Sequence, residues 1–211
     1  ILIGSKAAIL SSSLSAILFF LGIIIFYKKR NLIFQSLIII SSFGFSIILT
    51  SNQSKNYLQA VENTINYEND QGNVDRLRYY KETIEGFLES PIIGNGIGNW
   101  KILSVKYDAP YMNNYIVQYH AHNDFLQFLA ETGLIGFIFY LYFFIQLTFL
   151  LLKKVINDSG SFPYALCLLL SLFVYVIDAN LNFPAARVVM QVNLISLFVL
   201  ISIYTSNYEK K

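Results

Sequence analysis

Five long apolar runs constrain the fold of this 211-residue chain more than any other feature. A helix needs about 20 apolar residues to cross the hydrocarbon core of a bilayer, and each run is close to that length. Backbone polar groups in lipid must be satisfied within the protein, so segments of this kind are predicted to be helices. The runs cover approximately residues 7–27, 32–50, 133–152, 162–180 and 188–204.

The composition also indicates a membrane protein. Hydrophobic residues make up 55% of the chain and charged residues only 13%, whereas a soluble domain carries about a quarter charged residues. The single cysteine, Cys167, lies in an apolar run and is interpreted as a small buried hydrophobic residue. No cluster with metal-ligand spacing stands out, and no cofactor is expected. The chain begins without Met inside hydrophobic sequence, so we interpret it as the C-terminal portion of a longer protein.

Lysine and arginine in the short connections predict the orientation of the spans. With five spans, the basic clusters at 28–30, 153–154 and 210–211 fall on one side, which is expected to be cytoplasmic. Lys6, the polar stretch 51–119 and the turn 182–187 then lie on the opposite side. The predicted fold is all-α: a polytopic transmembrane helical bundle of about five spans with a large, partly helical extracytoplasmic loop. Its predicted parts are two transmembrane helices at 1–50, the loop at 51–121, and a motif helix with three further spans at 122–211.

The polar stretch contains its own structural signals. Apolar residues recur at nearly helical spacing over residues 75–88, and Asp75 is placed to cap that helix. Pro91 then interrupts the chain before a glycine-rich turn at 94–99. Backbone amides in such a turn can contact an anion, but the strand-turn-helix context of a nucleotide-binding loop is missing, so a plain tight turn is favoured. Trp100 and the surrounding tyrosines are predicted to lie in the membrane interface.

His122 is the candidate base. Histidine titrates near neutral pH and can accept a proton from a hydroxyl, and His122 lies just before the third apolar run. Asn123 is a candidate for orienting the ring or binding a sugar hydroxyl. His120 is an alternative base, and the chemistry of the residues alone does not separate the two. Gly133 and Gly136, at the start of the apolar run, are expected to let helices approach closely.

Cationic side chains form the second group of candidates. Arg76 and Arg78 offer planar guanidinium groups suited to phosphate, although Arg78 has a structural alternative as the partner of Glu82 on a solvated helix face. Arg187 and Lys6 are further candidate phosphate contacts, and each has the alternative of reaching towards lipid headgroups. The predicted topology puts all four cations and His122 at one membrane face. That arrangement suits a substrate with a diphosphate head and a lipid tail.

The motifs resemble those of a known family. His122-Asn123, nine residues and Gly133-x-x-Gly136 are similar to the signature of the O-antigen ligase and polymerase superfamily. Arg76 with an aromatic residue four positions on, followed by 91–96 in the pattern Pro-x-x-Gly-x-Gly, looks like the family's large periplasmic loop. Tyrosine replaces the more typical tryptophan at that aromatic position. The Asn-Phe-Pro-x-x-Arg turn at 182–187 also resembles one found in some members, and Lys6 stands where the family more often has arginine.

The resemblance implies an all-helical glycosyltransferase of the bacterial inner membrane with its active site facing the periplasm. The implied reaction is a metal-independent, inverting transfer from a glycan on undecaprenyl diphosphate. In this interpretation His122 and Arg76 are catalytic, Arg78, Arg187 and Lys6 bind the diphosphate, and Asn123 orients the acceptor. Membrane lipids are the other expected partners, and no nucleic acid is expected.

The acceptor remains open at this stage. A ligase would use a lipid-A core sugar or a protein hydroxyl, whereas a polymerase would use another lipid-linked repeat. A transporter for the same lipid-linked glycan is a third interpretation. Transporters often have internal repeats and a binding site near the bilayer midplane. The absence of a repeat and the gathering of charges at one face favour the enzyme.

Overall fold

The computed structural model describes residues 6–27, 41, 71–111, 117–157 and 162–206, and every regular element in these ranges is helical. We number the α-helices in chain order. They are α1 (Lys6–Gly22, continued by a π-helical turn at Ile23–Tyr27), α2 (Gln71–Glu89), α3 (Trp100–Asp108, followed by a 3-10 turn at Ala109–Tyr111), α4 (Asp124–Asn157), α5 (Phe162–Leu181) and α6 (Val188–Ser206). A further 3-10 turn, Pro184–Ala186, joins α5 to α6.

Three of the predicted spans are confirmed as helices long and apolar enough to cross a membrane: α4, α5 and α6. The apolar part of α1 that the structure describes, Ser13–Ile25, is shorter than a full span. The predicted second span at 32–50 lies outside the described residues except for residue 41, as does the first part of the polar loop. The five-span count therefore stays a prediction. Helix α5 packs against both α1 and α4, and α6 packs against α4 and α5.

The core of the membrane helices is aromatic and aliphatic. Phe144 and Leu151 of α4, Leu172 and Tyr175 of α5 and Ile201 of α6 form one buried cluster. Cys167 is exposed on α5, so the interpretation of this residue as a buried hydrophobe is wrong. When a helix is hydrophobic on all sides, the spacing of its apolar residues does not predict which of them are buried.

A kink divides α4 at the predicted boundary of the span. Gly133 has φ 64° and ψ −168°, which is not helical. In an unbroken helix, the amides of Leu134 and Ile135 would donate to the carbonyls of Ala130 and Glu131, four residues earlier. The kink releases these two donors and two acceptors, which in or near a membrane need other partners.

The glycine-rich turn supplies those partners. Leu134 N–H donates to Pro91 C=O at 2.8 Å, and Ile135 N–H donates to Ile92 C=O at 3.3 Å. On the other side of the kink, the turn donates to the carbonyls of α4. Asn95 N–H donates to Ala130 C=O at 3.1 Å, and Gly96 N–H donates to Glu131 C=O at 2.8 Å. The turn 91–96 therefore replaces two intrahelical hydrogen bonds with four bonds between segments that lie about 40 residues apart in sequence.

Backbone-to-backbone contact at this junction requires glycine. A Cβ atom on Gly94, at φ 73°, would lie 2.3 Å from the carbonyl oxygen of Glu131. One on Gly133 would lie 2.4 Å from the carbonyl oxygen of Ile92. Gly133 thus allows the turn to approach α4. The sequence predicted close approach of another helix at this glycine, and the neighbour found there is the turn. The interpretation of the turn as structural is confirmed, because its amides at 94–96 are used within the protein.

Trp100 joins three helices and is buried within the protein, and its predicted level in the membrane interface stays a prediction. Its side chain is 1% exposed. Its Nε1 donates to Thr83 Oγ1 of α2 at 2.8 Å, and its backbone N–H donates to Glu131 Oε1 of α4 at 3.1 Å. The indole N–H thus has a hydrogen-bond partner, which makes complete burial of the ring favourable.

Replacing Gly94 or Gly133 with alanine should strongly lower thermal stability, because the new methyl group would displace backbone that is already hydrogen-bonded. Gly98→Ala is the matched control: Gly98 also has a positive φ of 78°, but a Cβ atom added there would have no other atom within 4 Å. The control should show only the backbone penalty of about 1–2 kcal/mol. Unfolding of the detergent-purified variants, followed by temperature-dependent size exclusion, measures the difference. Equal losses for Gly94→Ala and Gly98→Ala would contradict the role assigned to the junction.

Candidate active site

His122 lies in the short segment that leads into α4, in a backbone conformation with φ 58°. The Tyr80 hydroxyl of α2 donates to the His122 carbonyl at 3.1 Å, which holds this segment against α2. The Nε2 atoms of Gln118 and His122 are 2.8 Å apart, within hydrogen-bond distance. Asn123 is buried and caps α4, because its Oδ1 accepts a hydrogen bond from Leu126 N–H at 3.0 Å. Asn123 therefore fixes the start of the helix beside His122, and its role towards an acceptor stays a prediction.

Helix α2 brings Arg76 to the same place. Arg76 and Tyr80 are one turn apart on the same side of α2, and the Tyr80 hydroxyl lies close to the carbonyls of both His122 and Asn180. Arg76 is near enough for its charge to oppose protonation of His122. Within the described ranges, no carboxylate forms an ion pair with Arg76. Its guanidinium group is thus a positive charge beside His122 with no acidic partner among these residues.

The turn between α5 and α6 completes the cluster through Phe183. The Phe183 ring stacks on His120, with centroids 4.4 Å apart and an interplanar angle of 15°. It meets the His122 ring edge-on at 4.9 Å. The guanidinium carbon of Arg187 lies 4.5 Å from the centroid of the same ring. One aromatic side chain therefore contacts two imidazoles and a guanidinium group.

Two buried carboxylates hold this turn in place. Asp124 Oδ2 accepts a hydrogen bond from Ala185 N–H at 2.7 Å, and Asp178 Oδ1 accepts one from Asn182 Nδ2 at 2.6 Å. Asp124 directly follows the His-Asn pair, so it links the motif at the start of α4 to the turn that carries Arg187. Sequence reasoning missed both Asp124 and Phe183. An acidic residue in the first turn of a helix interacts favourably with the helix dipole, so Asp124 did not indicate a further role. Phe183 is one of 18 phenylalanines, and its residue type alone did not distinguish it.

Both imidazoles are neutral at physiological pH. Burial lowers the pKa of His122 to about 4, and the positive charges of Arg76, His120 and Arg187 act in the same direction. Burial also lowers the pKa of His120, with Glu131 opposing and Arg187 reinforcing the shift. Nδ1 of His122 is buried and has no hydrogen-bond partner among the described residues. A neutral imidazole can accept a proton, so the site combines a base with two guanidinium charges suited to an anion.

Arg78 lies in a different environment from Arg76. Its guanidinium group pairs with Asp75 at 3.0 Å, Asp108 at 2.7 Å and Glu82 at 3.6 Å. The Glu82 pair is the structural alternative considered for Arg78. Burial and the neighbouring Asp108 raise the pKa of Glu82 to about 7. Since three carboxylates compensate the charge of Arg78, its predicted role as a phosphate ligand would require competition with them.

The remaining predicted cation, Lys6, begins α1, but its side chain lies outside the described residues. The structure therefore does not test its predicted contact with the diphosphate. In the described part of the chain, no group of three His, Cys, Asp or Glu residues is arranged to hold a metal ion.

The fold and this cluster define an integral membrane protein with a cationic site built around a histidine at the end of a membrane helix. The chain belongs to the O-antigen ligase family, whose model matches residues 1–141. The match contains Arg76, His122 and the glycine motifs, and it confirms the resemblance inferred from them. No curated protein matches the chain. Arg187 lies beyond the matched residues, and it is the structure that places it at the site.

Family membership indicates a glycosyltransferase-like enzyme with a function like that of O-antigen ligases and polymerases. Lipid-linked glycans as donors and glycans as acceptors follow as general substrate classes.

Replacing Arg76 with glutamine should raise the pKa of His122 from about 4 towards its ordinary value near 6.5, because a positive charge that opposes protonation is removed. The chain has two histidines, so imidazole NMR signals from labelled protein in nanodiscs can be assigned with a His120→Gln variant. Lys81→Gln is the matched control, since this cation of α2 is 80% exposed and does not act on His122. An unchanged His122 titration in Arg76→Gln would rule out the proximity of the two groups.

Proposed function

We propose that this protein transfers a glycan from undecaprenyl diphosphate to an acceptor hydroxyl at the periplasmic membrane face. The observation that carries the proposal is the contact of His122 and Arg187 with Phe183, together with the positive charge of Arg76 that acts on His122. Three separate parts of the chain supply these groups: α2, the start of α4 and the turn after α5. The periplasmic location rests on the basic clusters predicted to face the cytoplasm.

The arginines act on the leaving group in the proposed reaction. Diphosphate leaves readily, so the main requirement is to stabilise the negative charge that develops as its bond to the sugar breaks. Arg76 is suited to this task because it has no carboxylate partner among the described residues. Arg187 is exposed, its guanidinium group lies over the face of Phe183, and no carboxylate of the described residues forms an ion pair with it. Lys6 is assigned a supporting contact with the diphosphate, whereas Arg78 could make one only in competition with its carboxylate partners and is assigned mainly the role of joining α2 to α3.

His122 acts on the acceptor. The acceptor oxygen attacks the anomeric carbon, its proton passes to the neutral imidazole, and the electrons of the broken bond leave with the diphosphate. A single displacement of this kind inverts the anomeric configuration and requires no metal. Gln118 contacts Nε2 of His122, so an acceptor hydroxyl that gives its proton to this nitrogen would take the place of the Gln118 amide. Asn123 keeps the segment that carries the base fixed to α4.

His122→Ala and Arg76→Ala should each reduce glycan transfer by about a hundredfold or more, because a lost charge-assisted contact of this type raises the barrier by about 3 kcal/mol. Lys81→Ala is the control on the same helix and should leave transfer unchanged. Transfer is measured with purified protein and a lipid-linked glycan, and size exclusion verifies that each variant is folded. Full transfer by folded His122→Ala would refute the role of this residue, and loss in His120→Ala alone would move the base to His120.

The acceptor can be identified with the same purified protein. Incubation with lipid-linked glycan alone should give no product longer than the donor if the protein is a ligase, whereas a polymerase would extend the glycan. Adding lipid-A core glycan should then yield a glycosylated core. Growth of the donor glycan without any added acceptor would replace the ligase assignment with polymerase.

A further inference from the structure

The glycine-rich turn exposes an apolar surface although its backbone is firmly held. Ile92, Ile93 and Ile97 are 63%, 73% and 77% exposed. A mobile loop could fold such side chains away, but the hydrogen bonds to the kink of α4 fix this turn. No charged residue occurs between positions 90 and 100. A rigid, uncharged surface with three exposed isoleucines indicates an interaction site.

The turn lies level with the beginning of the membrane-spanning part of α4. Its carbonyls at 91 and 92 accept hydrogen bonds from Leu134 and Ile135, the first two residues after the kink. From this point α4 presents exposed apolar side chains, including Ile138 at 60% and Phe139 at 70% exposure. The apolar surface of the turn is therefore continuous with that of the helix.

A mainly apolar crevice joins the two surfaces. It has a volume of about 480 Å³ and lies between the turn, at Ile93 and Ile97, and α4, whose lining residues are Phe128, Glu131, Thr132, Gly136, Phe139 and Tyr140. Phe139 is six residues past Gly133, which is about 9 Å along a helix. The isoleucines thus share a crevice with a side chain well inside the apolar part of the span.

Backbone hydrogen bonding is the usual obstacle to placing a turn in lipid, because unsatisfied amides and carbonyls are costly there. This turn meets the requirement for the following backbone groups at positions 91, 92, 94, 95 and 96. The carbonyls of Pro91 and Ile92 accept from α4, and the amides of Asn95 and Gly96 donate to α4. The amide of Gly94 donates to Ser90 C=O at 2.9 Å, and Ser90 Oγ donates to Gly94 C=O at 2.9 Å.

We propose that the turn 91–97 is a membrane anchor whose isoleucines insert into the leaflet next to the active site, with acyl chains of bilayer lipids filling the crevice. Continuity with the apolar surface of α4 is what identifies lipid as the partner. A further hydrogen bond, from Asn95 Nδ2 to Gly86 C=O, connects the turn to α2, so insertion would set the height of Arg76 relative to the lipid phosphates. The proposal does not depend on the reaction assigned to the site.

Nitroxide labels test this anchor in the complete protein, reconstituted in phosphatidylglycerol and phosphatidylethanolamine vesicles without any glycan donor. Labels are attached to Ile93→Cys and Ile97→Cys in a Cys167→Ser background, because Cys167 is exposed and would also react. Collisions with oxygen, which concentrates in lipid, are compared with collisions with a water-soluble nickel chelate. Lys81→Cys on α2 is the aqueous control and Ile145→Cys, at an exposed position in the middle of α4, is the lipid control.

Labels at positions 93 and 97 should show a severalfold higher oxygen-to-nickel ratio than the label at position 81 and should resemble the label at 145. Nickel accessibility equal to that at position 81 would place the turn in water and overturn the proposal. Protection from both reagents would mean that protein covers the isoleucines, which overturns it as well. Fluorescence of Trp100, the single tryptophan of the chain, verifies in each variant that α3 remains packed.

Discussion

The hydrogen-bond exchange between the kink of α4 and the glycine-rich turn is the constraint on which the rest of the structure depends. A helix broken at Gly133 leaves donors and acceptors without partners, and the turn 91–96 satisfies them. The exchange also positions the adjoining helices. Asn95 Nδ2 donates to the carbonyl of Gly86 in α2 at 2.7 Å, and the Trp100 amide at the start of α3 donates to Glu131 in α4. Through these bonds, α2 is held where its first half reaches His122.

The charge of the candidate active site depends on which arginines of α2 are paired with carboxylates. Arg76 and Arg78 are two residues apart on α2 and therefore point in different directions. Arg78 faces α3, where the buried Asp108 and its neighbours Asp75 and Glu82 neutralise it, and it serves to join α2 to α3. Arg76 faces the start of α4, where its charge acts on an imidazole. One helix thus carries an arginine that joins two helices and another that no carboxylate of the described ranges pairs with.

The turn after α5 is the third part of the chain that forms the site, beside α2 and the start of α4. Apolar packing between α4 and α5 brings Asp124 and Asp178 close to this turn, and both accept hydrogen bonds from it. Phe183 is consequently placed against both histidines, with Arg187 over its face. Burial by this ring helps to keep His122 neutral, because an apolar neighbour disfavours the charged form. Packing of the membrane helices and the protonation state of the candidate base are therefore linked.

The sequence by itself determined the elements that depend on local pattern. Long apolar runs predicted α4, α5 and α6, nearly helical spacing predicted α2, and the motifs around Arg76 and His122 identified the family. Only the tertiary structure decided which residues meet. Cys167 was assigned to the wrong environment, Phe183 and Asp124 were missed, and the sequence did not show that Arg78 meets Asp108 while the charge of Arg76 acts on His122. Composition and periodicity report what a residue prefers along one helix, whereas burial, hydrogen bonding and charge compensation depend on partners that packing brings from distant parts of the chain.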